Sequence, residues 1–326
     1  MEICNTGMPM ESDISGLLLD IHRGGRVIEP GQFQDWALNQ IKQHIPFDAA
    51  MWCYGSVHEQ ATHSHRAHVH GLPENVREEI FHLWEYAALH RKAIQQIDSR
   101  IACTASDFRL APGSPLRQYP IEFVLCSLVV DPLSRLMTTI ALCRSADKNA
   151  FTPAERDLNQ ALLPHVVDVY RNNRLDHMML LREMDSSIYS PALADSEGML
   201  NATGKQFEKL ILEEWPAWTG PYLPQPMLAW VRHEVQFAFM GRTLVAYATV
   251  ADDEILIRIR KKYPYDNLGK REHEVAELFA GGLSYKEIAR TLDISPSTVG
   301  NHLYTVYAKL GINNKLELAK TVKEMR

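Results

Sequence analysis

No stretch of the 326-residue chain stays apolar for the ~18 residues that a membrane-spanning helix needs. The N-terminus, Met-Glu-Ile-Cys-Asn-Thr-Gly, lacks the basic start and apolar core of an export signal, so none is expected there. Cysteine is scarce: Cys4, Cys53, Cys103, Cys126 and Cys143 form no Cys-x-x-Cys pair, and their number is odd. That scarcity argues against a disulfide framework and against a cysteine zinc knuckle, and it predicts free thiols in a reducing cytoplasm.

What is present is ordinary for a globular protein: 46% hydrophobic residues and 23% charged ones, over a length that suggests two or three compact units. The net charge of −6 hides an uneven distribution. Residues 255–326 carry thirteen Lys and Arg against eight Asp and Glu, whereas the rest of the chain carries 21 against 32. A basic tail on an acidic body suits a protein of which only the tail meets a polyanion, although charge alone does not separate this from chance variation.

Phe33, Trp36, Ala37, Ile41 and Ile45 follow helical spacing up to Pro46. A strand is expected at 49–54, then a histidine-studded stretch from His58 to His70, then a helix opened by Pro73 with Val76, Ile80, Leu83, Trp84 and Ala87 on one stripe. Residues 121–130 and 136–143 read as strands joined by Asp131-Pro132-Leu133-Ser134. Thr152-Pro153-Ala154-Glu155 is a capping box opening a helix to about residue 184, with a kink or break expected at Pro164. This order suits an α+β domain with one sheet packed between helices. A second α+β region follows. Strands are expected at 192–200, around Asp195-Ser196-Glu197-Gly198, and at 235–240, 243–250 and 255–260. A helix at 204–214 and a loop carrying Pro216, Pro221, Pro224 and Pro226 lie between. Ile255, Ile257 and Ile259 alternate with Leu256, Arg258 and Arg260 as in a half-buried strand, and 263–267 reads as a linker.

From Leu268 onward the punctuation is explicit. A first helix with Val275, Leu278 and Phe279 on one face stops at Gly281-Gly282, where a left-handed cap is expected. Ser284-Tyr285-Lys286-Glu287 is a capping box for a second helix with Ile288, Ala289 and Leu292 facing inward. A tight turn through Asp293-Ile294 leads to Ser295 as N-cap and Pro296 at the first position of a third helix. Val299, Leu303, Val306 and Leu310 form its core stripe, and Ser297, Gly300, Asn301, Tyr304 and Ala308 its other face. Gly311 ends it, and a fourth helix is expected from Lys315 to Met325. Two short helices joined by a tight turn, the second exposing a polar face, make the geometry that enters the DNA major groove; a helical protein-docking module is the alternative.

These residues resemble the LuxR/GerE/FixJ type of helix-turn-helix regulator without a gap over 268–318. The match includes Arg271-Glu272, Ser284-x-Lys286-Glu287-Ile288-Ala289, Ser295, Thr298-Val299, His302 and Lys309-Leu310-Gly311. The resemblance implies base contacts from Gly300, Asn301 and Tyr304, and phosphate contacts from Lys286, Ser297, Thr298 and Lys309. Asn301 has the donor and acceptor for a bidentate pair with adenine. Gly300 departs from the Lys or Arg usual there, which puts guanine readout in doubt, and Gly269 departs from the usual Thr or Ser cap. The resemblance also implies dimerisation through Leu316, Ala319 and Val322, unless these only seal the core, with half-sites ~34 Å apart.

The front of the chain carries fainter resemblances: 13–185 to a GAF-type sensor, and 186–262 to a PAS module through Asp195-x-x-Gly198 and Asn201. The expected fold is therefore α+β multidomain, with GAF-like and PAS-like sensor modules followed by an all-α domain at 263–326. No phospho-receiver set of clustered acids, phosphorylatable Asp and partner Lys can be assembled. An unidentified small molecule is the expected signal, with Trp52, Tyr54 and Trp84 either as pocket walls or as plain core. An acyl-homoserine-lactone receptor of the quorum-sensing branch is an alternative, although the spacing of Trp52, Tyr54, Trp84 and Tyr86 does not match it.

His58, His63, His65, His68 and His70 fall within thirteen residues, and the i, i+2 pairs would share a strand face. Such pairs can ligate metal, but only Glu59 stands near to complete a site, so a solvated loop with uncommitted imidazoles is the expectation. No cofactor or metal is expected. The reading is a non-enzymatic, cytoplasmic, ligand-responsive regulator that binds double-stranded DNA as a homodimer. Its rivals are a metal-dependent enzyme or sensor built on 58–70, and an adaptor that has lost DNA binding, to which Gly300 hints.

Overall fold

The computed structural model describes residues 10–58, 61–73, 75–76, 102–180, 188–233, 238–251 and 254–324, the side chains of 10–13, 57–58, 61–65, 102–104, 251 and 324 excepted. It divides into two compact units, Met1–Met240 with Leu244–Arg260, and Gly241–Thr243 with Lys261–Arg326.

In the first unit the apolar run of residues 123–144 becomes two antiparallel strands, β4 (Phe123–Val130) and β5 (Leu136–Arg144). The turn between them closes because the Asp131 carboxylate accepts the backbone N–H groups of Leu133 and Ser134, at 3.0 and 2.9 Å, and Arg135 takes φ +58°. With β1 (Ala49–His58), β2 (Ala61–His70) and β3 (Ala102–Arg109) they form an antiparallel sheet of order β2-β1-β5-β4-β3. One face carries Ala50, Trp52, Leu125, Val129, Ile140 and Leu142 against α1 (Met10–Val27), α2 (Pro30–Lys42) and α3 (Pro153–Leu180). The other carries Met51, Cys53, Val124, Cys126, Leu128 and Cys143. The expected helical stripe of α2 is buried through Phe33, Ala37 and Ile41.

The histidine-studded stretch is a strand rather than a solvated loop. It pairs with β1 in a register that sets His68 opposite Trp52 and His70 opposite Ala50, so the partner strand supplies what composition did not show. The Thr152–Glu155 box is made in both directions, with N···O distances of 2.8 and 3.2 Å. The break expected at Pro164 does not occur: α3 runs through it, because Leu162, Leu163, Val166 and Val167 around it are buried against the sheet. The helix expected after Pro73, with its stripe from Val76 to Ala87, falls outside the described residues from 77 onward.

The second sheet has the order β7-β6-β10-β9-β8 and is built of β6 (Ser190–Asp195), β7 (Leu200–Thr203), β8 (Phe239–Met240), β9 (Leu244–Ala251) and β10 (Glu254–Lys261). It packs on α4 (Phe207–Glu214) and α5 (Gln225–His233). The stretch expected to be a proline-rich loop thus contains α5, with Pro226 in its first turn, where a missing N–H costs nothing. β10 is not half-buried. Ile255, Ile257 and Ile259 face Phe207, Ile211 and Met227, and Leu256 faces Leu175 and Met179 of α3. A single helix therefore serves both sheets, which is why they fall in one unit. The loop before α5 lies so close to the β4–β5 turn that a Cβ at Gly220 (φ +61°) would stand 2.2 Å from the Ser134 carbonyl oxygen.

The second unit is helical: a 3-10 turn (Pro264–Asn267), then α6 (Lys270–Ala280), α7 (Tyr285–Leu292), α8 (Pro296–Leu310) and α9 (Lys315–Glu324). The segment expected to be a linker is part of it, since Tyr265 is buried in the helical core and its ring meets that of His273 edge-on at 4.6 Å. Among the described residues no helix is long and apolar enough to cross a membrane.

Candidate nucleic-acid interface

The first three helices of the second unit are bounded by residues whose chemistry suits a helix end. Gly269 offers α6 no side-chain oxygen, so the cap is one-sided: its N–H donates to Glu272 Oε2 at 2.6 Å. At the other end Gly281 stays right-handed and Gly282 takes φ +107°. Leu283 N then donates to Leu278 O at 3.2 Å and Gly282 N to Phe279 O at 3.1 Å, which is a Schellman closure one residue later than the first glycine. Ser284 and Glu287 exchange bonds around the start of α7, at 2.7 and 3.4 Å. α7 ends on Asp293, left-handed at φ +52° and ψ +51°, a conformation that Asp tolerates better than most side chains. One residue separates it from Ser295, whose Oγ accepts the Thr298 N–H at 3.1 Å and caps α8. Gly311 (φ +66°) closes α8, with Ile312 N donating to Tyr307 O at 3.2 Å.

These caps fix the angle at which α7 hands the chain to α8, and the core fixes its rotation. Val299, Leu303 and Val306 are buried with Val275, Ala276, Ile288, Ala289 and Leu318. By helical periodicity the opposite face must be solvent-facing, and Ser297, Asn301, Tyr304 and Ala308 are exposed there, Tyr304 by 78%. A phenol that exposed contributes little to packing. A Cβ at Gly300 would meet only Tyr285 Cε2, at 3.8 Å, so packing does not demand the glycine.

The expected phosphate contacts divide. Lys286 is exposed on α7 and makes no ion pair among the described residues. Arg290, one turn on and also exposed, was not singled out from the sequence, although its i, i+4 spacing from Lys286 was the available signal. Ser297 is exposed and Thr298 half-buried; their hydroxyls lie 2.7 and 2.8 Å from Ser295 Oγ, within the cap of α8. Lys309 is engaged otherwise. Its Nζ lies 2.7 and 3.0 Å from the two Glu272 oxygens and 3.4 Å from Asn267 O, tying the last turn of α8 to the first turn of α6. The hydrogen bond from Lys309 holds the Glu272 carboxyl below the usual range, against the opposing pull of burial. Of the expected dimer residues, Leu316 is 81% exposed and Ala319 half-buried, but Val322 is only 4% exposed and belongs to the core beside Leu318.

In the first unit Trp52 is wholly buried, its ring 5.4 Å from that of Tyr170. Trp84 lies outside the described residues. Tyr54 does line a cavity, of about 530 Å³, with Gln34, Arg66, His68, Tyr170, Arg174, Asn201 and Glu254 among its other walls. These come from α2, β2, α3, β7 and β10, so no local spacing announces them. Burial pushes the Tyr54 hydroxyl well above its ordinary range, helped by Tyr170, and keeps it a proton donor. The side chains of His58, His63 and His65 lie outside the described set. His68 and His70 are committed: both donate to Asp35 Oδ1, at 3.0 and 2.7 Å. Burial raises the Asp35 carboxyl, but the bonds from His70 and His68 outweigh it and hold it low. Among the described residues no three His, Cys, Asp or Glu side chains converge as a metal ion requires. Cys53, Cys126 and Cys143 are buried thiols, and burial pushes Cys143 up to about 12.

The transcriptional regulatory protein UhpA of Escherichia coli is 49% identical over 55 residues, 17% of this chain and 28% of its own. The uncharacterized response regulatory protein YgeK of the same organism is 39% identical over 69 residues, 21% of this chain and 47% of its own. DesR of Bacillus subtilis is 42% identical over 57 residues, 18% and 29% of the two. The chain thus spans 28% of the length of the UhpA proteins it matches. Among solved structures, Escherichia coli SdiA is 15% identical at a TM-score of 0.31, covering 94% of both chains. CepR2 of Burkholderia cenocepacia, a LuxR family factor dependent on N-acylhomoserine lactone, is 11% identical at 0.33, covering 51% of this chain and 98% of its own. The GAF3 domain of Slr1393 from Synechocystis is 13% identical at 0.28, covering 52% and 99%. The model of the luxR family of bacterial regulatory proteins, GerE, matches residues 266–322, from the end of the 3-10 turn through α6, α7 and α8 and into α9. Residues 266–322 of this chain are a helix-turn-helix domain of the luxR family.

Proposed function

We propose that the chain is a DNA-binding transcriptional regulator whose C-terminal helices read the major groove under the control of a small molecule bound in the first unit. The observation that carries the reading is the outer face of α8: Ser297, Asn301 and Tyr304 are exposed on a helix whose opposite face and both ends are fully committed to the fold. Asn301 takes adenine edges by accepting from N6 and donating to N7, Tyr304 meets a thymine methyl or a phosphate, and Gly300 lets the helix backbone approach closely. Lys286, with Arg290 beside it, neutralises phosphate, and the first turn of α8 with Ser297 and Thr298 adds neutral contacts. Lys309 is assigned to the fold rather than to phosphate.

The chain ahead of the helices is read as two sensor modules, 13–185 and 186–262, sharing α3. Work as a homodimer in the cytoplasm, with Leu316 as the exposed apolar residue of α9, completes the reading. An acyl-homoserine lactone, the molecule on which CepR2 depends, suits the 530 Å³ cavity poorly, because Arg66, Arg174 and Glu254 would face its acyl chain. A duplex selected from a random pool by the full chain tests the DNA half. Asn301→Ala is expected to weaken binding to it by about 1–3 kcal/mol and to relax one base position. Equal affinity of the variant and the parent for that duplex contradicts the role.

A further inference from the structure

The cavity beside Tyr54 has a chemical character that points to a ligand class. Its acidic member, Glu254 at the head of β10, faces two cations. Arg174 hydrogen-bonds to Glu254 Oε1, while Arg66 Nη1 reaches the same oxygen only at 3.6 Å. Arg66 makes no hydrogen bond among the described residues, and its side chain is 57% exposed. Across the cavity the Asn201 amide nitrogen is buried without an acceptor. The Tyr54 and Tyr170 rings stack with centroids 5.6 Å apart, and Gln34 binds both hydroxyls, accepting from Tyr170 and donating to Tyr54, at 3.3 and 3.2 Å. His68, the remaining ionisable wall, is held by Asp35, which stands outside the lining. The inventory is thus two guanidinium groups against one carboxylate, with an unused amide donor and a flat phenolic wall. The walls lack a second negatively charged acceptor, not a donor.

We infer that this cavity binds a small organic acid, its carboxylate on Arg66 and its planar body, carrying an acceptor oxygen, between the Tyr54–Tyr170 pair and Asn201. A carboxylate is the group that the fork of a guanidinium holds bidentately, and one negative charge neutralises the excess of Arg66 and Arg174 over Glu254. The site is made jointly by the two sheets: Tyr54 and Arg66 stand on the first, Asn201 and Glu254 on the second. A ligand there ties them together, and β10 runs from Glu254 to Lys261, where the helical unit begins. The inference gives the sensing half of the proposed function a ligand class, and its test involves no DNA, so each can fail without the other.

The test is calorimetric titration of the full chain with 4-hydroxybenzoate, with neutral 4-hydroxybenzamide, and with inorganic phosphate. The expected result is one site for the benzoate, with the amide and phosphate each at least tenfold weaker. Arg66→Met, at a mostly exposed side chain, is expected to weaken the benzoate at least tenfold while leaving the melting temperature in place. Glu254→Gln, which removes the competing carboxylate, is expected to tighten it severalfold. No binding of the benzoate at 10 mM, equal binding of benzoate and amide, binding of phosphate as tight as the benzoate, or indifference to Arg66→Met would each overturn the inference.

Discussion

Replacing Lys309 by methionine separates two roles that a lysine at the end of a groove-facing helix can play. If its ammonium neutralised a phosphate, its loss would remove about 0.9 from the slope of log affinity against log salt. Over the fourfold change from 50 to 200 mM salt, that shrinks the loss of affinity by about 3.5-fold. The structure assigns the charge elsewhere. Nζ sits 2.7 and 3.0 Å from the Glu272 oxygens, and the two side chains are 40% and 14% exposed. An ion pair so open to water contributes on the order of 0.5–1 kcal/mol to stability. The Glu272 bond to Gly269 N survives the substitution. Lys309→Met is therefore expected to destabilise the helical unit by about that amount and to leave the salt slope unchanged within error. Lys286→Ala, at an exposed and unpaired cation, is expected to leave stability unchanged and to lower the slope by about 0.9. Fluorescence anisotropy on a selected duplex across the salt series measures both. A slope lowered equally by the two variants would refute the assignment of Lys309 to the fold.

Four further expectations concern the helical unit. Val322→Ala removes two methyl groups from a side chain only 4% exposed and is expected to cost about 1.5–2.5 kcal/mol, read as faster hydrogen exchange in the middle of α8. Leu316→Ala, at 81% exposure, is expected to leave exchange unchanged but to weaken self-association in sedimentation; a dimer indifferent to it moves the interface elsewhere. Gly300→Ala, whose methyl meets only Tyr285 at 3.8 Å, is expected to stabilise α8 by up to about 1 kcal/mol, and a destabilised helix would show that the glycine answers to packing. Glu272 is held below its unfolded value, so its stabilisation is complete above the unfolded carboxylate range and is lost as pH falls through the folded value. The acid-induced weakening of the helical unit is thus expected to be shallower in Glu272→Gln, as measured by melting between pH 6 and pH 3. Parallel curves for parent and variant would contradict it.

The helical unit was legible because its signals are local. Ser284, Ser295 and Gly311 act on residues three to five positions away, and a reader of sequence sees that range. The Lys309–Glu272 contact was not legible because Glu272 is 37 residues upstream and is brought near only by the crossing of α6 and α8. The same distance effect hid the first unit's cavity. His68 and His70 are answered by Asp35, some 33 to 35 residues before them, and Arg174 by Glu254, 80 residues after it. β10 looked half-buried because its isoleucines alternate with arginines. Its second covered face depends on α3, which no pattern inside the strand reports. Trp52 illustrates the remaining ambiguity: an aromatic on a sheet reads alike as pocket wall or core, and its packing with Phe33 and Tyr170 comes from helices distant in sequence.

The central claim is that the exposed edge of α8 contacts base pairs. Its most direct measurement is selection of duplexes from a random pool by the full chain, with and without Asn301→Ala. Enrichment of one motif by the parent, with loss of preference at one position in the variant, is the predicted result. A parent chain, folded and dimerised, that enriches no motif, or a variant that selects the identical motif with identical preference, contradicts it.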